Sequence, residues 1–331
     1  MSEKAPRPTP TVGLGALALL FLRLGLTAVG GPAAHIAVMQ REVVEKRGWL
    51  TNAEFLDLIG ASNAIPGPTS TEVAMYTGRR HGGIPGLIVA GLGFIAPAAL
   101  IMGVLAWAYV RYGTRPAVDD VLFGVKPVVV AIVLVAVVRL GRTAFTSRLL
   151  VGIGVGVLAA YLMGFNEPVL LLAASGVAAT AGRCRQRLSG GTALAAVFGL
   201  PALAATQTAD PDLPRIFGAF FKIGALLFGS GYVLLAFLRK DLVLSYGWLT
   251  DGQILDAIAL GQLTPGPVFT TATFIGYLLR GVPGAVVATV AIFLPAFVMT
   301  AVLEPVIARL RAKPVTAAAL DGLNAAAVAL M

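Results

Sequence analysis

Ile65-Pro66-Gly67-Pro68-Thr69-Ser70-Thr71-Glu72 and Thr264-Pro265-Gly266-Pro267-Val268-Phe269-Thr270-Thr271 are the two stretches that decide the fold. Proline lacks a backbone donor and its ring clashes with the preceding turn, so each stretch breaks a helix. The same landmarks surround both. Each has a cation inside an apolar run (Arg23, Lys222), a Gly-Trp-Leu-Thr tetrad (residues 48–51 and 247–250), an aspartate (Asp57, Asp256) and an amide (Asn63, Gln262) before the triplet. A Pro-Gly (Pro85-Gly86, Pro283-Gly284) and a Pro-Ala (Pro97-Ala98, Pro295-Ala296) follow it. The offset is 265 − 66 = 199 residues up to the triplet and 283 − 85 = 198 after it. Two copies of one pattern, separated by a single-residue deletion, make this an internally duplicated chain.

Composition sets the class. With 57% hydrophobic and 12% charged residues in a chain of 331, a soluble domain could not cover its own surface. Runs of about 20 apolar residues recur, enough to cross a hydrocarbon core, and in lipid only helices satisfy their own backbone groups within one segment. The expected fold is all-α and polytopic, an integral membrane protein. The runs predict spans near residues 12–34, 54–78, 84–110, 120–140, 148–165, 167–182, 192–208, 213–235, 252–279, 282–308 and 315–331. Those carrying Pro-Gly-Pro are expected to be broken or re-entrant. Amphipathic stretches near 36–47 and 235–246, ending at Trp49 and Trp248, are expected to rest at the membrane interface. The first run carries Arg23 and no small-residue cleavage site, so it does not read as a signal peptide. Cys184 is the only cysteine, which excludes an intrachain disulfide and a CxxC redox motif.

If every run crosses once, most Lys and Arg fall on one side, which should be cytoplasmic. The eighth span, partner of the first, then enters from the opposite side, and the repeats are inverted. Many secondary transporters use that arrangement to place a substrate site near the bilayer midplane. The halves divide as residues 1–188 and 189–331. In the first copy residues 124–133 match 322–331 and the apolar run continues, so the second copy is expected to extend beyond Met331.

The formal charge of +9 is mostly topology and contact with anionic lipid, not nucleic acid. Arg23 and Lys222 differ because they sit in mid-span, where a charge costs about 2.5–3.5 kcal/mol on insertion scales. They read either as anion-attracting groups in a wet cavity or as structural ion pairs. Thr69 with Glu72 fits a capping box that starts a new helix inside the membrane. Its free amides, with the hydroxyls of Thr69, Ser70 and Thr71, favour an anion. Thr270 and Thr271 follow the second triplet, and Gly30-Gly31-Pro32 and Gly229-Ser230-Gly231 loosen the chain at matching places. Glu72 and His35 have no ionisable counterparts, since Thr271 and Leu234 replace them. They are the candidates for proton coupling.

The runs Phe21-Leu-Arg-Leu-Gly-Leu-Thr27, Gly30-Gly-Pro-Ala-Ala-His35, Gly48-Trp-Leu-Thr51 and Pro66-Gly-Pro-Thr-Ser-Thr71 resemble the chromate ion transporter (CHR) family. The resemblance covers both halves and is closer in the first. It implies a bacterial inner-membrane, multi-pass protein of two antiparallel halves that exports chromate and confers resistance. It carries over Arg23, Gly30, Gly31, Pro32, Pro66, Gly67 and Pro68 as motif positions, with Lys222, Pro265, Gly266 and Pro267 in the second half. The expected cargo is chromate or a similar tetrahedral oxyanion, exported by membrane potential or proton antiport. Sulfate or another oxyanion, or symport, stands as the alternative. An intramembrane lipid-modifying enzyme is a distant one, because the sequence offers no catalytic pair, metal cluster or cofactor motif. The expected substrate contacts are Arg23, Lys222, Gly30, Gly31, Asn63, Pro66, Gly67, Pro68, Thr69, Ser70, Thr71, Gln262, Pro265, Gly266, Pro267 and Thr270. Membrane lipid is the expected surroundings, and a homodimer is left open.

Overall fold

The structure, a computed structural model, describes residues 12–62, 67–113, 147–163, 173–178, 210–227 and 234–311, with isolated positions between 124 and 170. Among the described residues every element is helical. Cys184, Asn63, Pro66, residues 228–233, the runs at 192–208 and 315–331 and most of those at 120–140 and 167–182 lie outside the described residues.

The first run does not cross as one helix. The helix α1 (Leu14–Thr27) stops about 21 Å from its start, at roughly 1.5 Å per residue. Gly30 and Gly31 then take φ 109° and 80°, and α2 (Gly31–Gln40) starts with Pro32 in its first turn and continues as a π-helical turn over Arg41–Lys46. The next run is also divided. Helix α3 (Asn52–Ser62) precedes the first triplet, and α4 (Thr69–Tyr112) follows it. Gly83 (φ 60°, ψ −148°) folds α4 into two arms, residues 69–82 and 84–112. The left-handed backbone there requires glycine.

Contacts fix the directions of these pieces. A Cβ on Gly82 would lie 2.9 Å from Leu14 Cδ2, and one on Gly25 would lie 2.6 Å from the Phe94 carbonyl. So α1 runs alongside the second arm of α4 in the same direction and stops near that arm's middle. The chain then returns: Trp49, just past the π-helical turn, rests on His81 with centroids 5.8 Å apart. Helix α3 starts at that same end, where Glu54 pairs with Arg80 at 2.8 Å. Thus α1 with α2, and α3 with the first arm of α4, are two hairpins opening on one end of the bundle. Only the second arm of α4, about 43 Å long, runs its full length.

The stretches expected at the interface pack one face against the bundle and leave the other exposed. Met39, Glu42 and Val43, and in the second copy Leu238, Asp241 and Leu242, are buried. Met39 and Val43 join a core with Leu17, Phe21, Phe55, Tyr76 and Phe94, and Leu238 and Leu242 join one with Phe220, Phe237 and Phe274.

The second copy repeats the pieces as α6 (Leu213–Leu226), α7 (Leu234–Leu238) with a π-helical turn (Arg239–Ser245), α8 (Asp251–Leu263), a 3₁₀ turn (Val268–Thr270) and α9 (Thr271–Arg311). A separate helix, α5 (Arg148–Leu162), precedes them. In α9 Gly281 takes the same φ 60°, ψ −147° as Gly83. Both tetrads end in capping boxes: Thr51 with Glu54, and Thr250 with Gln253. The box expected at Thr69 and Glu72 does not form, because Pro68 is the N-cap and Thr69 is already the first helical residue.

The tips of the hairpins join the halves. In Pro-Gly-Pro only the glycine has an N–H. Gly67 donates it to the Leu227 carbonyl at 2.8 Å, and Gly266 donates its own to the Ala28 carbonyl at 2.9 Å. These four positions match at offset 199, so each triplet bonds the end of the other copy's first helix. Toward the Leu14 end, Arg79 donates to the carbonyls of Thr300 and Ala301, 2.6 Å to the former. The Ala301 carbonyl lacks its helical donor because Pro305 has no N–H. Toward the other end of α4, Tyr109 donates to Asp256 at 2.9 Å and rests on Phe274.

A Cβ on Gly266, at φ +86°, would stand 2.5 Å from the Ala98 Cβ, whereas one on Gly48, at φ +59°, meets nothing within 4 Å. Gly266→Ala is expected to lower the melting temperature of the purified protein more than Gly48→Ala, which costs only backbone strain of about 1 kcal/mol. Ala98→Gly in the Gly266→Ala background should restore part of the loss, as a thermal melt would report.

Candidate functional site at the two hairpin tips

Backbone geometry is shared by the two tips, but side-chain chemistry is not. At the first, α4 opens with Thr69, Ser70, Thr71 and Glu72, all buried. Only two amides of this first turn, those of Thr71 and Glu72, fold back onto the Pro68 carbonyl. Ser70 Oγ lies 3.3 Å from His35 Nδ1, which ties the start of α2 to the start of α4. Thr71 Oγ1, His35 Nε2 and both oxygens of Glu72 are buried without a hydrogen-bond partner among the described residues.

Val268, Phe269, Thr270 and Thr271 stand at the second tip. Its hydroxyls are spent on its own backbone: Thr270 donates to Pro267 O at 2.8 Å and Thr271 to Val268 O at 2.7 Å. Gln262, at the end of α8, has a buried Nε2 without a partner. Gly67, Pro68, Gly266 and Pro267 are brought together by the exchanged bonds, and Gly30 and Gly31 follow the Ala28 carbonyl that takes part. Spare hydrogen-bonding capacity is therefore concentrated at the first tip.

Mid-span cations meet different fates. Lys222 on α6 bonds both oxygens of the buried Asp241 at 2.9 Å each. Its charge is answered within the fold. Arg23 on α1 is exposed and forms no ion pair among the described residues. The reason lies one repeat away. Glu42, which matches Asp241, is taken by Lys46 at 2.6 Å and by Arg47, and the second copy has Ser245 and Tyr246 at those places. The Glu42 and Asp241 match was present in the sequence as an acid recurring at offset 199. Asp57 is exposed, whereas Asp256 is buried and accepts from Tyr109.

Residues 15–180 and 214–331 match the family described as Chromate transporter. The chain belongs to the chromate transporter family. It is 35% identical over 324 residues to the chromate transport protein of Cupriavidus metallidurans, spanning 96% of this chain and 81% of that one. It is 34% identical over 327 residues to the probable chromate transport protein of Synechococcus elongatus, spanning 96% and 82%. An uncharacterized transporter of Methanocaldococcus jannaschii is 27% identical over 297 residues, spanning 84% and 73%. No solved structure matches this chain. The two long apolar helices, α4 and α9, suit a family of membrane transporters.

Removing one partner of a buried charge leaves the other unanswered, which costs more than losing an exposed charge. Lys222→Met is therefore expected to lower the melting temperature more than Arg23→Met, and adding Asp241→Asn should recover much of that loss.

Proposed function

We propose that this chromate transporter family member exports chromate or a similar tetrahedral oxyanion across the bacterial inner membrane, which it spans several times. The exchange of Gly67 and Gly266 amides carries the reading. It sets two interrupted helices tip to tip at mid-depth of the bundle, where a ligand can be held away from both ends. The oxyanion sits at the start of α4, against its first-turn amides and the hydroxyls of Thr69, Ser70 and Thr71. Pro68 frames that side, and Asn63 and Pro66, which lie outside the described residues, are proposed as further contacts. Gly30 and Gly31 border it, and Gln262, Pro265, Pro267 and Thr270 close the other side.

Arg23 supplies the attracting charge. Lys222, held by Asp241, acts through structure and contributes less. Such a site needs no reaction. Moving one charge through about 100 mV is worth about 2.3 kcal/mol, so a dianion leaving a negative cytoplasm gains about twice that. The potential suffices to drive export.

The halves, residues 1–188 and 189–331, are inverted copies, each sending two re-entrant hairpins toward the midplane from its own side. Contacts of Arg79 with Thr300 and Ala301, and of Tyr109 with Asp256 and Phe274, support this. They place the late part of α9 beside the early part of α4, and the late part of α4 beside the second tip.

Cells making the protein should accumulate less chromate than cells without it, and excess sulfate should leave that difference standing. A difference erased by sulfate would assign the site to sulfate. At equal expression Arg23→Ala should remove the difference and Arg23→Lys should weaken it, since the planar fork binds two oxyanion oxygens where Lys offers a point charge. Undiminished export by Arg23→Ala would sink that role. Ile84→Cys and Val282→Cys, both at exposed positions, should react from opposite sides of intact cells in a Cys184→Ser background. Labelling from one side would mean parallel halves.

A further inference from the structure

Glu72 is fully buried in the first turn of α4, and neither of its carboxyl oxygens has a hydrogen-bond partner among the described residues. It caps nothing and pairs with nothing there. Its carboxyl lies against Gly67, where a Cβ would collide with Oε1. The acid thus fills the notch beside the glycine that holds the two halves together, in the same place where the α4 amides, Ser70 and Thr71 converge. The second tip copies the backbone and omits the acid, with Thr271 in its place.

Titratable groups on the neighbouring elements are engaged with other partners or make no hydrogen bond to Glu72 among the described residues. On α2, His35 sits against Ser70. Arg23 on α1 and Asp57 on α3 are exposed, and Glu54 on α3 is paired with Arg80. Asp256 on α8 accepts from Tyr109, and Arg280 on α9 reaches Pro211. Tyr76, one turn further along α4, is buried. Among the described residues none of these cations is ion-paired with the Glu72 carboxyl.

An ionised carboxylate in a dry site without a donor is costly, and it repels an anion placed beside it. A neutral carboxyl can instead donate its O–H to an anion oxygen. We infer that Glu72 is a protonation gate for anion binding at the first tip: the oxyanion binds when Glu72 carries a proton. At a pH where the empty site leaves Glu72 ionised, a hydronium ion of the buffered solvent gives its proton to a carboxyl oxygen as the anion binds and is left as water, and the O–H so formed faces the anion. The gate rests on the reading that the anion sits at these tips. Proton and anion then strengthen each other's binding by the same factor, the reverse of an exchange in which one displaces the other.

The test is equilibrium binding of selenate, which stays a dianion, to the purified full chain from about pH 5.5 to about pH 8.5. Affinity should fall as pH rises, by up to about tenfold per pH unit, with uptake of about one proton per selenate at the alkaline end. Glu72→Gln should hold the parent's acid-limit affinity throughout, with neither slope nor uptake. A parent without slope or uptake, or a Gln variant that keeps the slope through His35, would overturn the gate while leaving the anion site intact. Proton release on binding would overturn it in favour of exchange. Failure to bind selenate or chromate at any pH would sink the anion site itself and the gate with it. If Glu72→Gln is not recovered folded, proton uptake by the parent decides.

Discussion

Two backbone hydrogen bonds, from Gly67 to Leu227 and from Gly266 to Ala28, hold the design together. Each joins a donor and an acceptor that cannot be satisfied locally. The prolines flanking each glycine have no N–H, so the glycine supplies the triplet's one donor. Helices α1 and α6 stop in the middle of the bundle, so the carbonyls just past their ends have no helical partner. In lipid an unmet backbone group costs several kcal/mol, and here the two halves meet each other's need. A two-ended break in each half thereby becomes a single joint. Gly67 against Ala296, and Gly266 against Ala98, show how little room that joint leaves for side chains.

The joint is symmetric in its backbone and asymmetric in its chemistry. Thr-Ser-Thr-Glu stands at one tip and Val-Phe-Thr-Thr at the other. Arg23 keeps its charge free of ion pairs among the described residues, and Lys222 gives its charge to Asp241. Duplication built the frame twice, and among the described residues the unpartnered Thr71 hydroxyl, a cation without an ion pair and the buried Glu72 lie in one copy. A tetrahedral anion held there would be gripped from the first half and enclosed by the second.

The repeat, the helix breaks and the α-helical class were legible in the sequence because proline and glycine act locally and the offset was constant. The return of α1 through α2 was not. Hydropathy over residues 12–34 is the same whether the chain crosses or doubles back, and the paired positive φ values at Gly30 and Gly31 with the contact of Trp49 on His81 distinguish the two. The capping pattern at Thr69 and Glu72 misled because Pro68 takes the N-cap position. The boxes that do form lie in the Gly-Trp-Leu-Thr tetrads, where the repeat had already marked them. Asp241 as the partner of Lys222 needed the fold, since 19 residues and a chain reversal separate them.

Anomalous scattering from selenium in a crystal of the protein grown with selenate tests the central claim most directly. The account predicts one peak at the start of α4, within hydrogen-bond reach of the amides and hydroxyls of Thr69, Ser70 and Thr71, with Gly67 and Gly266 still bonded across the halves. A peak at the Lys222 and Asp241 pair or outside the hairpin tips would contradict it, as would tips that stand apart.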